Sequence, residues 1–300
     1  MERVRLALDG LSIGDAFGSQ FFIPANERLL FGPRREDPPV EEEFWRYTDD
    51  TEMALGIAEV LGRHGRIEQD DLAATFARRF RAEMYRGYGP MAIRILAAIA
   101  DGGPWREVSA AVFGGEGSLG NGAAMRVAPV AAFFADDPLR AAAEACLSAE
   151  VTHRHPEGVA GAVAVAAAVA SAWQLRDRAG DDTARAELFA AALDLTPAGA
   201  TRRGLEEARE LSFDEPVATA AQALGNGSRV TAPDTVPFCV WCAARHLANY
   251  PDAIWNTVRG GGDIDTTAAI VGGIVVMAVG RGAIPAEWLA AREPLGWEGS

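Results

Sequence analysis

Apolar residues recur at helical spacing along nearly the whole chain, as in Val4, Leu8 and Leu11, in Leu55, Ala58 and Leu61, and in Leu72, Phe76 and Phe80. Steps of three and four residues place such positions on one helix face, and no run shows the strict alternation of a half-buried strand. Further helical stretches are predicted at about 90–100, 122–134, 138–150, 156–176, 183–193, 201–211, 234–248, 251–258 and 265–279, bounded by Gly, Pro and Asp. The pattern predicts an all-α fold. The apolar runs from Ala160 to Trp173 and from Ala268 to Val279 read as too short to span a bilayer, and their small residues as a means of close helix packing. Two segments break the pattern, Ser19 to Tyr47 and the glycine-rich Gly114 to Gly122. Long loops in a compact domain tend to carry function, and the first is a candidate lid.

Composition narrows the chemistry. With 300 residues and 49% hydrophobic content the chain can bury a large core, and no Pro/Ser-rich linker divides it, so one domain over 1–300 is expected. A formal net charge of −14 argues against nucleic acid or an anionic membrane as partner, because both are held by basic patches. All 28 cationic residues are Arg. Without lysine, Schiff-base catalysis, pyridoxal-phosphate attachment and a phosphate-loop lysine are excluded. Cys146, Cys239 and Cys242 sit in apolar helical segments and make no disulfide framework, and the C-x-x-C of Cys239 and Cys242 reads as buried core. No signal-peptide pattern opens the sequence, so a cytoplasmic location is expected; a monomer is expected as well.

Chemistry concentrates in five short segments. Thr48-Asp49-Asp50-Thr51 and Asp263-Ile264-Asp265-Thr266 each open an apolar helical run, and together they offer four carboxylates and threonine hydroxyls. Hard oxygen ligands of this kind suit Mg²⁺ or Mn²⁺. Either cluster alone is equally a helix N-cap; the three glycines before Asp263 exceed what a cap needs. Gly114 to Arg126, G-G-E-G-S-L-G-N-G-A-A-M-R, leads a loop into a helix start and reads as an anion cradle or as a plain turn before a helix. Thr152-His153-Arg154-His155-Pro156-Glu157 fits a capping pattern that leaves the paired histidines unexplained. Gly14-Asp15-Ala16-Phe17-Gly18 ends the first helix with a buried-looking acid.

In this order the five motifs resemble those of the ADP-ribosylglycohydrolase family, over almost the whole chain from Leu6 to about Trp288. The resemblance implies an all-α orthogonal helix bundle with two Mg²⁺ or Mn²⁺ ions at the bottom of an ADP-ribose cleft. Carried over residue by residue, it implies that Thr48, Asp49 and Asp50 hold one ion. Asp263, Asp265 and Thr266 would hold the other, with Asp265 bridging and Asp15 supporting the ligands. Ser118, Gly120, Asn121 and Gly122 match phosphate and ribose contacts, and His153 a cleft residue. Asp49 and Asp50 are the implied catalytic carboxylates. Release of ADP-ribose from an ADP-ribosylated protein or small-molecule acceptor is the implied activity, with a catalytically silent ADP-ribose-binding relative as the alternative.

One position departs from the family's pattern. Many members carry a loop glutamate where this chain has Phe22. Another acid, Glu27, Glu36, Glu41, Glu42 or Glu43, takes its part, or the aspartate pair acts with metal-activated water, or activity is lost.

Overall fold

The computed structural model describes residues 1–30 and 44–297, and the fold there is all-α, with no named strand among the described residues. Helices α1 (Glu2–Ser19), α2 (Pro24–Glu27), α3 (Asp49–His64), α4 (Gln69–Ala82), α5 (Pro90–Ala100) and α6 (Trp105–Ala111) precede the glycine-rich loop. After it come α7 (Gly122–Met125), α8 (Ala128–Phe133), α9 (Pro138–Glu150), α10 (Pro156–Gln174), α11 (Asp182–Leu195) and α12 (Ala200–Glu210). The chain closes with α13 (Val217–Leu224), α14 (Ala232–Arg245), α15 (Tyr250–Val258), α16 (Ile264–Val279) and α17 (Ala286–Ala291).

Most predicted stretches become helices within two or three residues of their expected ends, and α6, α13, α17 and the short α2 inside the expected Ser19 to Tyr47 loop are additions of about two turns or less, too short for an apolar stripe to stand out. The stretch expected as one helix at 122–134 is two. Pro129 stands in the first turn of α8 and has no N–H to continue the ladder from α7, and the intervening Arg126 turns its side chain into the core. The Ala-rich run lies within α10, which ends two residues before its expected end at 176. At 19 residues and a mean hydropathy of 1.3, α10 has the length and composition to cross a bilayer, yet 78% of that window is buried within the protein. Cys239 and Cys242 are free thiols inside α14 and fully buried, as a core reading requires.

The central contact is between α1 and α16, which run antiparallel. Gly10 faces Gly272 and Val276, Gly14 faces Ala268, and Gly18 faces Asp265. A methyl group on Gly14 would lie 2.1 Å from the Ala268 carbonyl oxygen, and one on Gly18 would lie 2.7 Å from the Asp265 Cα. The two backbones therefore touch, and the contact carries Asp15 of α1 to the start of α16. An aromatic cluster locks the same end of α1. Phe17 stacks on Trp288 at 4.6 Å and meets Trp255 and Trp45 edge-on at 4.9 and 5.5 Å. Trp45 in turn exchanges backbone hydrogen bonds with the C-terminal segment, donating to Ala291 O at 2.7 Å and accepting from Glu293 N at 3.0 Å. Arg86 pairs with Glu293 and lies 4.2 Å over the Tyr47 ring. These contacts fix the chain that delivers Thr48 to α3.

Candidate active site

Helix α3 starts at Asp49 and α16 at Ile264, and the first turns of both converge on Asp15. Asp15, Asp50 and Asp265 bring carboxylate oxygens within 4.8 Å of one another. The helix N-termini supply partial positive charge, which offsets part of the repulsion. Neither Thr48 nor Asp263, the residues preceding these helices, makes a side-chain capping bond. The Thr48 hydroxyl instead lies 2.9 Å from Asp15 Oδ1 and 3.0 Å from Asp50 Oδ2, and Thr266 Oγ1 lies 3.4 Å from the same Asp50 oxygen. Thr48, Asp50 and Thr266 thus meet at one shared centre, while Asp265 Oδ1 also accepts from Thr266 N in the first turn of its own helix at 2.9 Å.

Asp15 is the support of this centre. Its Oδ1 accepts from the backbone N–H and hydroxyl of Thr48, and its Oδ2 from the backbone N–H and hydroxyl of Thr51, the last at 2.5 Å. These donors occupy the lone pairs a cation would use and hold both threonines in register. Asp50 is the opposite case. It is buried, and its Oδ1 has no hydrogen-bond partner. A buried carboxylate oxygen without a donor is costly, and a hard cation is the partner its charge and position fit.

Electrostatics agree. Burial, reinforced by Asp15 and Asp265, pushes the Asp50 carboxyl well above its usual range, and burial with Asp263 and Asp15 does the same for Asp265. Burial also lifts Asp263, Asp49 to about 7 and Asp15 to about 6. So many acids raised together mark a centre that is incomplete without positive charge.

Asp263 and Asp49 flank the tight group and are held by segments that the sequence did not single out. Asn226 accepts a backbone bond from Asp263 at 3.1 Å and donates its amide to Gly260 O at 2.9 Å. Gly262, at φ +75°, leaves no room for a side chain, since a Cβ there would meet the Asn226 carbonyl at 2.3 Å. Gly227 approaches Asp263 as closely, 2.6 Å from an added methyl to its Cβ. The second Asn-Gly pair of the chain, Asn226-Gly227, was the available signal. Near Asp49, Gly87 at φ +90° takes a backbone conformation that favours glycine, and a Cβ there would lie 3.6 Å from Asp49 Oδ1.

The glycine-rich loop lies on the start of α10. A methyl on Gly117 would meet His155 N at 2.8 Å, and one on Gly158 would meet Ser118 O at 2.6 Å. The His155 ring caps α10, its Nδ1 accepting from Glu157 N at 3.1 Å, as the capping pattern predicts. Glu157 turns away to accept from the backbones of Ala200 and Thr201, tying α10 to α12. His153 points the other way, into the loop, where a Cβ on Gly122 would lie 2.9 Å, and one on Gly120 3.2 Å, from its Nε2. Ser118 Oγ accepts from Gly120 N at 3.2 Å. Asn121 joins loop to acids, its amide donating to Asp263 Oδ2 at 2.7 Å and Thr235 Oγ1 at 3.1 Å. Asn121 and Asp263 thus form the bond by which the glycine-rich loop meets the acid cluster, while His153 lies on the loop side against Gly120 and Gly122.

Phe22, at the position where the family pattern carries an acid, is 55% exposed. The substitutes Glu36, Glu41, Glu42 and Glu43 lie outside the described residues, as does the side chain of Glu27.

Known proteins are similar to this chain in sequence and fold. ADP-ribosylhydrolase ARH3 of Gallus gallus is 28% identical over 326 residues, spanning 95% of this chain and 88% of that protein. The Homo sapiens ADP-ribosylhydrolase ARH3 is 27% identical over 330 residues, spanning 96% and 88%. An uncharacterized protein of Archaeoglobus fulgidus is 30% identical over 297 residues, spanning 96% and 90%. Among solved structures, an ADP-ribosylglycohydrolase-related protein complex superposes with a TM-score of 0.68 at 27% identity, over 97% of this chain and 92% of the other. The ADP-ribosylglycohydrolase family model matches residues 1–298, and the chain belongs to that family.

Proposed function

We propose that this chain, acting as one domain, is a dimetal-dependent hydrolase that releases ADP-ribose from an ADP-ribosylated acceptor by attack of water at the ribose C1″. The observation that carries this is the junction of an acid cluster with a glycine cradle through Asn121 and Asp263. Family membership and the resemblance to the two ARH3 proteins support the same chemistry.

Thr48, Asp49, Asp50, Asp263, Asp265 and Thr266 would hold two Mg²⁺ or Mn²⁺ ions. Bound there, the ions would offset carboxylate charge, activate water and polarise the ribose oxygens. The chain's own residues do the rest. Ser118 and Gly122 would present a hydroxyl and a backbone donor to the diphosphate and ribose, and Gly120, whose own N–H donates to Ser118 Oγ, would leave room for the ligand's close approach, with the start of α10 behind them. Asn121 and Asp15 orient acids instead of touching the reacting atoms. Asp49, 8% exposed against 1% for Asp50, is the carboxylate better placed to take a proton from the attacking water.

A second reading is a catalytically silent ADP-ribose-binding protein, and Phe22 in place of the loop acid is the observation that favours it. One experiment separates the two. The metal-loaded protein is incubated with arginine- and serine-linked ADP-ribose, and free ADP-ribose is measured. Release that Asp49→Asn or Asp50→Asn abolishes, with the fold retained, supports the hydrolase. Tight ADP-ribose binding without release from any linkage supports the binding protein.

A further inference from the structure

Arg126 is fully buried, yet among the described residues no carboxylate pairs with it directly, and Asp49 acts on it only as a nearby charge. Its guanidinium lies 4.7 Å over the Phe76 ring and reaches Met53 Sδ at 3.7 Å. One terminal nitrogen donates to Ser148 O and to Thr152 Oγ1, both at 2.9 Å. Its Nε is buried without any partner. Burying a cation on these terms costs far more than an apolar side chain of similar length, so packing alone does not explain it.

The Thr152 hydroxyl explains it. Its oxygen already accepts from Arg126, and it lies 2.7 Å from His153 Nδ1. Thr152 is fully buried, so its own proton needs an acceptor, and His153 Nδ1 is the acceptor in reach. An Nδ1 that accepts carries no proton. The imidazole proton must then reside on Nε2, the atom that faces Gly120 and Gly122 and has no protein partner among the described residues. We propose that Arg126 is a positioning residue, which acts through the Thr152 hydroxyl to hold His153 in its Nε2–H tautomer as a fixed donor into the glycine loop.

The ligand group this suits is an oxygen acceptor, a phosphate or ribose oxygen. The inference rests on the reading that the loop seats ADP-ribose. Burial and the nearby Arg126 charge press the imidazole down to about 3, so it stays neutral and has one N–H to place. A second, protonated state would make any tautomer lock pointless.

The test uses the full chain with ¹⁵N-labelled histidine and two-bond ¹H–¹⁵N correlation, His153 being assigned by its loss in His153→Gln. Wild type and Thr152→Ser, which keeps the hydroxyl, are expected to show a protonated Nε2 and a bare Nδ1 from pH 5 to 8. Thr152→Val keeps the shape without the hydroxyl; it is expected to lose the single tautomer and to weaken ADP-ribose binding by about tenfold while circular dichroism stays unchanged. A wild-type His153 protonated on Nδ1 overturns the proposal, and so does a Thr152→Val variant with unchanged tautomer and affinity. Should wild type fail to bind ADP-ribose at all, the site reading falls, and the tautomer signal still decides whether the Thr152 hydroxyl that Arg126 holds sets the His153 proton.

Discussion

The Asn121 side-chain amide donates to Asp263 Oδ2 across 2.7 Å, joining residues 142 apart in sequence. Asn121 ends the glycine-rich loop and Asp263 precedes α16, so this one bond sets the spacing between the cradle and the acid cluster. The same amide reaches Thr235, and both partners are buried or nearly so. Replacing Asn121 by Leu leaves two acceptors without a donor. Chemical denaturation should show a loss of about 1–3 kcal/mol, and ADP-ribose affinity should fall together with metal affinity. If only stability drops and both affinities hold, the coupling of cradle to acids is wrong.

Removing a central acid should separate stability from metal binding. Asp50 and Asp265 carry like charges that repel across the centre, so in the absence of metal Asp265→Asn is expected to melt higher than wild type. Mn²⁺ should raise the wild-type melting temperature by mass action and leave the variant nearly unmoved, with calorimetry giving an affinity at least about 10-fold weaker. A variant with wild-type stoichiometry and affinity would remove Asp265 from the metal centre.

Stability should depend on pH in a direction set by the raised carboxyls. Each of Asp15, Asp49, Asp50, Asp263 and Asp265 holds its proton more tightly folded than unfolded, because burial penalises the charge. The stability this adds is fully present below the ordinary value of 3.8 and is lost as pH rises through the folded values, about 6 for Asp15 and about 7 for Asp49. In a chelator, therefore, wild type should lose stability relative to Asp50→Asn between pH 4 and pH 8. Saturating Mn²⁺ should flatten the difference by supplying the missing charge. Melting curves across that window would contradict the assignment if the chelated wild type gained on the variant as pH rose.

The α1–α16 contact should tolerate no side chain at its glycines. Gly14→Ala would set a methyl 2.1 Å from Ala268 O, backbone that cannot rotate away, and overpacking of this kind costs about 1–3 kcal/mol or more. Gly18→Ala presses on the Asp265 Cα and should in addition weaken Mn²⁺ binding. Urea denaturation and calorimetry read the two effects independently, and a Gly18→Ala protein with undiminished metal affinity would uncouple the helix contact from the site.

By itself the sequence determined the helices and the chemistry on offer. Periodicity and turn residues are local properties, so the bounds of α5 and α9 and the capped start of α10 could be read from spacing. The acids of Thr48 to Asp50 and Asp263 to Thr266 were legible for the same reason, since hard ligands and glycines carry their meaning in residue type. What spacing left open was whether each cluster capped its own helix. Only the tertiary structure decided that, by packing Gly10, Gly14 and Gly18 against α16 so that Asp15 takes up the Thr48 and Thr51 donors and Asp50 is left with a bare oxygen. Asn226 behind Asp263, Gly87 beside Asp49 and the line from Arg126 through Thr152 to His153 likewise arise from segments distant in sequence. A close approach between remote backbones depends on the whole packing, and no local pattern of apolar and polar positions encodes it.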